Sequence, residues 1–154
     1  MNIFISLNRI APRIFQLICE NDCVIVPEFG GFVAQYSSAK LDASTGFFAP
    51  PFRQILFNKN LINNDGLLAN SVAQTENISF TKATELIKNE VEEIKRKLAL
   101  KKQVDIKGIG LIYIHENIIK FKQNSENILR DSFGLKSLNI NEFINENIND
   151  AKVV

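Results

Sequence analysis

The chain has 154 residues, 45% of them hydrophobic, and it carries 18 lysines and arginines against 17 aspartates and glutamates. This length and apolar content are typical of one ordinary domain or two small ones, and they exclude a largely disordered protein. The balanced charge excludes an overall basic field that would draw the whole molecule to nucleic acid or anionic lipid.

The cysteines and the N-terminus predict a compartment. Cys19 and Cys23 are too few for the disulfide framework of a secreted protein, which favours a reducing environment. Arg9, Pro12 and Arg13 interrupt the apolar N-terminus, so no signal peptide is predicted. No stretch approaches the roughly 18 to 20 apolar residues of a membrane span. We therefore expect a cytoplasmic chain that does not itself insert into a membrane.

The first half of the chain predicts one helix, two strands and a long loop. Apolar residues recur at helical spacing over residues 8–22, and "DCVIVP" and "GFVAQY" then read as paired strands beside glycines. Residues 37–53 form an arm-like loop with a turn at Ser44, Thr45 and Gly46. This segment either projects from the body or folds back on it. "FRQILFNKNLINNDG" closes the half as a short helix or a final strand.

The second half has clearer signals. Asp65 is the expected cap of a helix over 66–75 that ends at Asn77, and Ser79 the cap of a longer helix over 80–100. One apolar stripe follows the longer helix: Phe80, Ala83, Leu86, Ile87, Val91, Ile94 and Leu98. Strands are predicted over 103–107, 110–115 and 117–122. A polar tail, 125–154, contains an apolar segment, 128–138, that we expect to dock on the rest of the protein.

A repeat links the two halves. Aligning Val24 of "CVIVPEFGGFVAQY" with Val104 of "QVDIKGIGLIYIHE" matches the apolar positions and sets Gly30 on Gly110. Such internal similarity indicates one supersecondary unit that is used twice. The glycines expected to define the fold are Gly30, Gly31, Gly108 and Gly110.

The second copy resembles the bacterial HU and integration-host-factor family. The residues that carry the match are Val104, Ile106, Gly108, Ile109, Gly110 and Ile112. The first copy looks like a degenerate version, with Glu28 in place of the first glycine. Together they are similar to the tandem HU-like domains named for coiled-coil-domain-containing protein 81, in their bacterial form.

The resemblance implies an α+β fold in which two HU-like domains, 1–63 and 64–124, form an intramolecular pseudo-dimer. An isolated domain of this type has too little interior to bury its apolar face, so HU-type proteins form intertwined dimers. In many relatives a membrane span and a peptidoglycan-binding SPOR domain follow. The chain stops before either, and we expect the cytoplasmic side of an envelope-anchored protein if the native chain is longer.

Two binding functions follow from the resemblance. HU-type proteins clamp DNA with basic arms that carry an apolar wedge. The arm here lacks the arginine and proline at its tip and has Asp42 instead, which predicts weak, salt-sensitive duplex binding. The candidate DNA contacts are Lys40, Arg53, Lys101, Lys102, Lys107, Lys120 and Lys122.

A protein partner is the favoured alternative. The densest aromatic cluster in the sequence is Phe47, Phe48, Phe52 and Phe57. Aromatic side chains often anchor interfaces, although an arm folded onto the protein's own core would use them equally well. The prediction is a protein-binding or scaffolding module, linked to cell-envelope or division proteins. An architectural DNA-binding protein of the HU type is the alternative, and self-association stays open.

No enzyme, metal site or cofactor is predicted. His115 stands in a hairpin turn without a serine or cysteine motif beside it. Cys19 and Cys23 lack the further nitrogen or sulfur ligands that a closed zinc site needs. The "GIG" and "FGG" sequences lack the strand, loop and helix context of a dinucleotide site.

Overall fold

The computed structural model describes residues 9–124, 128, 136–142 and 144. Within these residues the helices with complete bounds are α1 (Ala11–Glu20), α2 (Leu67–Glu76) and α3 (Phe80–Lys101), and residues 140–142 and 144 are also helical. The strands are β1 (Cys23–Val26), β2 (Gly30–Ser37), β3 (Lys40–Asp42), β4 (Phe47–Ala49), β5 (Phe52–Asn58), β6 (Gln103–Ile106), β7 (Gly110–His115), β8 (Ile118–Gln123) and β9 (Leu138–Asn139). The predicted α+β class is confirmed.

The chain divides into two compact units. The core unit comprises Met1–Gln35 and Ile55–Glu126, and the arm unit comprises Tyr36–Gln54 and Asn127–Val154. In the core unit, α1 and α2 pack against each other and against β1, and α3 packs against α2 and β6. Among the described residues, no helix is both long and apolar enough to cross a membrane.

The long helix begins where its sequence predicts. The Ser79 hydroxyl accepts a hydrogen bond from the backbone N–H of Lys82 at 3.2 Å, and the predicted Ser79 cap is confirmed. The buried residues of α3 are Ala83, Ile87, Val91, Ile94 and Leu98. Phe80 was wrongly assigned to this stripe, since 47% of it is exposed at the first helical position.

The cap of α2 differs from the prediction. Gly66, with φ of 82°, occupies the N-cap position instead of Asp65. The Asp65 carboxylate, one residue earlier, accepts a hydrogen bond from the backbone N–H of Leu67 at 3.0 Å. Asp65 therefore satisfies one of the free amides of the first turn from outside the helix. Asn77 ends α2 in a left-handed conformation, as predicted.

The repeat is confirmed by strand register. In the first copy Val24 pairs with Phe32 and Val26 with Gly30; in the second, Val104 pairs with Ile112 and Ile106 with Gly110. β5 completes the first sheet, in the order β1-β2-β5, and β8 completes the second, in the order β6-β7-β8. The segment that closes the first half is thus a strand.

The copies share one core within the core unit. The Phe32 ring lies 5.2 Å from that of Phe57 in its own copy and 5.7 Å from that of Phe121 in the other, centroid to centroid. The Ile55 N–H of the first copy donates to Gln123 Oε1 of the second at 2.8 Å. The Phe32–Phe121 and Ile55–Gln123 contacts join one copy to the other, as in an intramolecular pseudo-dimer.

Glu28, where the first copy departs from the repeat, is in the left-handed region with φ of 62°. This conformation costs a non-glycine residue about 1–2 kcal/mol, and the greater freedom of an unfolded glycine offsets about half of that.

Because Glu28 is exposed, we expect Glu28→Gly to raise the free energy of unfolding by about 0.5–1 kcal/mol in urea titrations. Glu85→Gly, on the exposed face of α3, is the control and should lower it by about 1 kcal/mol. A destabilised Glu28→Gly chain would contradict the expectation.

The arm unit contains a small sheet in the order β3-β4-β9. Its hairpin turns at the predicted Ser44 to Gly46, and Leu41 pairs with Phe48 across it. The third strand, Leu138–Asn139, comes from the tail and pairs with β4. Of the expected docking segment, 129–135 lies outside the described residues, whereas Ile128 is buried.

Candidate binding surfaces

Lys120 and Lys122 form the best-defined basic patch in the described part of the core unit. Successive strand residues point to opposite faces, so these two exposed lysines share the outer face of β8 with Ile118. The register sets Lys120 opposite Tyr113 and Lys122 opposite Leu111. A ring and two cations on one sheet face can contact a phosphate backbone or an acidic protein surface.

The other predicted lysines of the second copy do not extend the basic patch of Lys120 and Lys122. Lys101 lies in the last turn of α3, and Lys102 caps that helix in a left-handed conformation, with φ of 59°. Lys107 follows β6 at its far end. Because β6 has four residues, Lys102 and Lys107 are separated by roughly 13 Å or more along the strand. All three are exposed.

The strand of the first copy that corresponds to β8 has no lysine at the positions of Lys120 and Lys122. A Cβ on Gly30 would contact the Phe57 ring, and a Cβ on Gly110 would contact the Phe121 ring. Phe57 is therefore the counterpart of Phe121. With this alignment, Leu56 and Asn58 occupy the positions of Lys120 and Lys122. The basic pair is present on one side of the pseudo-dimer only.

An open cleft of about 540 Å³ lies beside these strands in the core unit. Its lining is mainly apolar. The lining residues are Val33, Leu56, Phe57, Asn58, Lys59, Asn60, Ile118 and Ile119. Leu56 and Ile118 are 44% and 51% exposed. Exposed aliphatic side chains at a cleft are typical of a protein contact.

The tip of the arm hairpin is acidic. The Asp42 carboxylate accepts hydrogen bonds from the Ser44 backbone N–H at 2.9 Å and from the Ser44 hydroxyl at 2.5 Å. These bonds, with those from Thr45, hold the pKa of Asp42 below its ordinary value. The tip therefore keeps its negative charge at neutral pH. Of the predicted arm cations, Lys40 is exposed on β3 and Arg53 is half-buried on β5.

The four predicted aromatic residues are divided between the core unit and the arm unit. Phe57 lies in the core unit, 5.4 Å from Phe29 and 6.5 Å from Phe121 between ring centroids. Phe47 and Phe48 are on β4 of the arm unit and, as neighbours in a strand, point to opposite faces. Phe52 is half-buried at the start of β5.

An apolar row crosses the arm sheet. Leu41, Phe48 and Leu138 lie directly opposite one another on β3, β4 and β9. Leu41 is 60% exposed and Leu138 is 42% exposed. The alternation of "SLNIN" extends over residues 137–141, but only Leu138–Asn139 form a strand and residues 140–141 are helical. Nothing in the sequence identified β4 as the partner of that strand.

The residues considered for catalysis or metal binding show no arrangement for either function within the described part of the chain. His115 is exposed, with its Nε2 atom 3.8 Å from the Glu116 carboxylate. Burial, and then the nearby Asp65 charge, raises the pKa of the Cys23 thiol, which disfavours a reactive thiolate. Cys19 and Cys23 are not joined by a disulfide. Among the described residues, no three histidine, cysteine or acidic side chains converge in a way that could hold a metal ion.

The fold and these surfaces define a tandem HU-like protein: two small α+β copies around one core, with a hairpin arm on the first. Residues 7–65 match the family described as CCDC81-like prokaryotic HU domain 1, and residues 66–133 match CCDC81-like prokaryotic HU domain 2. The chain belongs to this family of tandem HU domains, as its sequence predicted. No curated protein and no solved structure is significantly similar to it. HU-like domains are binding or scaffolding modules, and that general class applies here.

Proposed function

We propose that the chain is a non-enzymatic module that binds a protein partner, and that the HU fold acts in it as a scaffold. The observation that carries this proposal is the uneven charge of the two copies. Lys120 and Lys122 stand on the second sheet, whereas Leu56 and Asn58 occupy the equivalent positions on the first. A two-fold clamp on DNA needs cations on both halves, because affinity scales with the number of phosphates neutralised.

The arm supports the same proposal. HU-type arms enter the minor groove with positive charge and an apolar wedge. Here the hairpin tip carries Asp42, which is ionised and engaged with Ser44. The two prolines of the segment, Pro50 and Pro51, follow β4 at the base of the hairpin. A negative tip without a wedge repels the groove that the arm would have to enter.

The partner contacts that we propose are apolar. In the core unit they are the exposed side chains at the cleft, Leu56 and Ile118. In the arm unit they are Phe48 and its neighbours in the apolar row, with Phe47 on the opposite face of β4. Interface cores are depleted in charge and enriched in aromatic residues, which fits these residues better than the basic patch.

Weak duplex binding is a second candidate function. On the outer face of the second sheet, Tyr113 of β7 lies between Lys120 of β8 and the strand β6. Lys122 lies two residues further along β8. Two cations beside a ring can hold a few phosphates of any sequence. Such binding falls steeply with salt because it rests on counterion release.

The test is an anisotropy titration with a fluorescent duplex of about 30 base pairs, at about 50 and about 200 mM salt. We expect no binding at the higher salt and at most weak binding at the lower. Lys120→Ala with Lys122→Ala should abolish that weak binding, whereas the matched pair Lys82→Ala with Lys88→Ala, exposed on α3, should not. Submicromolar affinity at the higher salt would reject the protein-binding proposal in favour of an architectural DNA-binding protein.

Domain division and location are proposed on the same basis. We propose HU-like domains over 1–63 and 64–124, followed by the tail over 125–154. We propose a cytoplasmic location, supported by a cysteine content too low for a disulfide framework, and a link to cell-envelope or division proteins. Fractionation of cells that produce the tagged native protein, followed by capture of its partners from the membrane and soluble fractions, would test both.

A further inference from the structure

The edge of β4 is covered by a strand of the protein's own tail. Within the arm unit, Phe48 pairs with Leu138 and Phe47 with Asn139. Beyond this pair, the Ile140 N–H donates to the Gly46 carbonyl at 2.7 Å, and the Asn141 side-chain amide donates to the Thr45 carbonyl at 3.3 Å. The tail thus adds a third strand to the β3–β4 hairpin.

The covering strand is short. β9 has two residues, and short strands on a two-stranded ribbon are marginally stable. Leu138 remains 42% exposed although it is docked. Elements with few buried contacts and exposed hydrogen bonds open at low free-energy cost. The β4 edge is therefore available to another strand whenever the tail detaches.

The docked tail shows which sequences this edge accepts. The residue opposite Phe48 faces the apolar row, where Leu138 sits, while the residue opposite Phe47 is polar, as Asn139 is. Two residues later the Asn141 side chain fills the space over Gly46, where a Cβ would lie 2.6 Å from it. Leu138 and Asn139 are extended, and residues 140–142 turn into a helix. An extended segment with an apolar residue followed by a polar one, and then a turn that brings an asparagine over Gly46, satisfies these contacts.

We propose that the β4 edge is a strand-acceptor site for a partner protein, and that the partner supplies an exposed, extended segment in which an apolar residue is followed by asparagine. The tail strand Leu138–Asn139 occupies the site in cis and must leave before the partner binds. Backbone pairing supplies the affinity and the alternate side chains supply the specificity, as in other cases of β-strand addition. This inference rests on the proposed protein-binding function and names the site and chemistry of the partner.

The tail is a strong competitor because it is tethered. A segment linked to its own site has an effective concentration on the order of millimolar. A free peptide of the same sequence therefore binds the intact chain weakly. Once the tail is released, the apparent affinity of that peptide should rise by about tenfold or more.

A single substitution can release the tail without touching the hairpin. In an antiparallel pair, successive N–H groups point alternately toward and away from the neighbouring strand. The Ile140 N–H points toward β4 and donates to Gly46, so Ile140→Pro removes that bond. The Ser137 N–H, three residues earlier, points away by the same alternation. Ser137→Pro is therefore a matched control that adds a proline and leaves the pairing intact.

The experiment is an NMR titration of the full-length chain, ¹⁵N-labelled, with an unlabelled peptide of sequence KSLNINE, residues 136–142. In the Ile140→Pro chain, up to about 2 mM peptide should shift the amides of Gly46, Phe47 and Phe48, in keeping with a site of roughly millimolar effective concentration. The wild-type and Ser137→Pro chains should bind about tenfold more weakly. A peptide with aspartate in place of Leu138 should cause no shifts.

Each result decides one question. Equal binding by all three chains, or no shifts at Gly46 to Phe48 in the Ile140→Pro chain, would overturn the strand-acceptor site. The protein-binding function would then still stand if the duplex titration shows no DNA affinity. Unchanged amide shifts across the core unit confirm that each variant is folded. A further Phe48→Pro substitution in the Ile140→Pro chain should remove the peptide shifts, because the Phe48 N–H faces β9.

Discussion

Phe32→Ala is expected to lower the free energy of unfolding by about 4 kcal/mol, as large-to-small changes of buried phenylalanines do. Phe32 is fully buried at the point where the copies meet. Its ring contacts those of Phe57 from the first sheet and Phe121 from the second. The substitution leaves a cavity that neither copy can close alone, so both should lose stability together.

Urea unfolding of the purified chains, followed by circular dichroism, measures this effect. The matched control is Phe80→Ala, a phenylalanine that is 47% exposed at the start of α3. Its loss should be about 1 kcal/mol or less, since partly exposed side chains contribute little burial. If the two variants were equally stable, or if the core unit unfolded in two separate transitions, the shared core would be contradicted.

Gly110→Ala is expected to cost about 3 kcal/mol or more, because its Cβ has no room. That atom would lie 2.3 Å from the carbonyl oxygen of Lys122, which is backbone and cannot rotate away. β7 and β8 would have to separate at the residue where their pairing begins. The damage should therefore be concentrated in the second sheet.

Gly66→Ala separates crowding from backbone strain. Gly66 has φ of 82°, yet the nearest atom to its Cβ would be the Asn70 side-chain nitrogen at 3.5 Å. This variant should lose only the left-handed penalty, about 1–2 kcal/mol. Hydrogen exchange should show weaker protection of β8 amides in Gly110→Ala and normal protection in Gly66→Ala. Equal losses in the two variants would show that the β7–β8 approach is not the cause.

Local patterns predicted the regular elements. Ser79 as a cap and the apolar spacing that follows it identified α3, because these signals depend only on neighbours along the chain. The alternation around Gly30 and Gly110 predicted both hairpins and their common register. Short turn signals predicted the turn at residues 44–46, but residues 37–53 were predicted as a loop, and the strands β3 and β4 on either side of the turn were not predicted. In each case, the interactions that decide the structure lie within a few residues.

Contacts between residues that are far apart in sequence could not be predicted from these local patterns. Phe47 and Phe57 looked alike in one aromatic stretch, but Phe57 joins the core cluster while Phe47 remains 46% exposed on β4. The bond from Ile55 to Gln123 joins residues that no periodicity connects. The common face of Lys120 and Lys122 could not be predicted either, because it is determined by strand register and not by composition.

The sequence by itself determined the helices, the two repeated hairpins and the tandem HU family of this protein, because capping, alternation and repetition are written in short stretches. Only the tertiary structure decided what those elements do together. It placed both copies around Phe32, confined the paired lysines of the outer face to β8, and seated Leu138 on β4. The physical reason is that burial and strand pairing depend on which surfaces meet in space, and the chain brings those surfaces together from positions far apart in sequence.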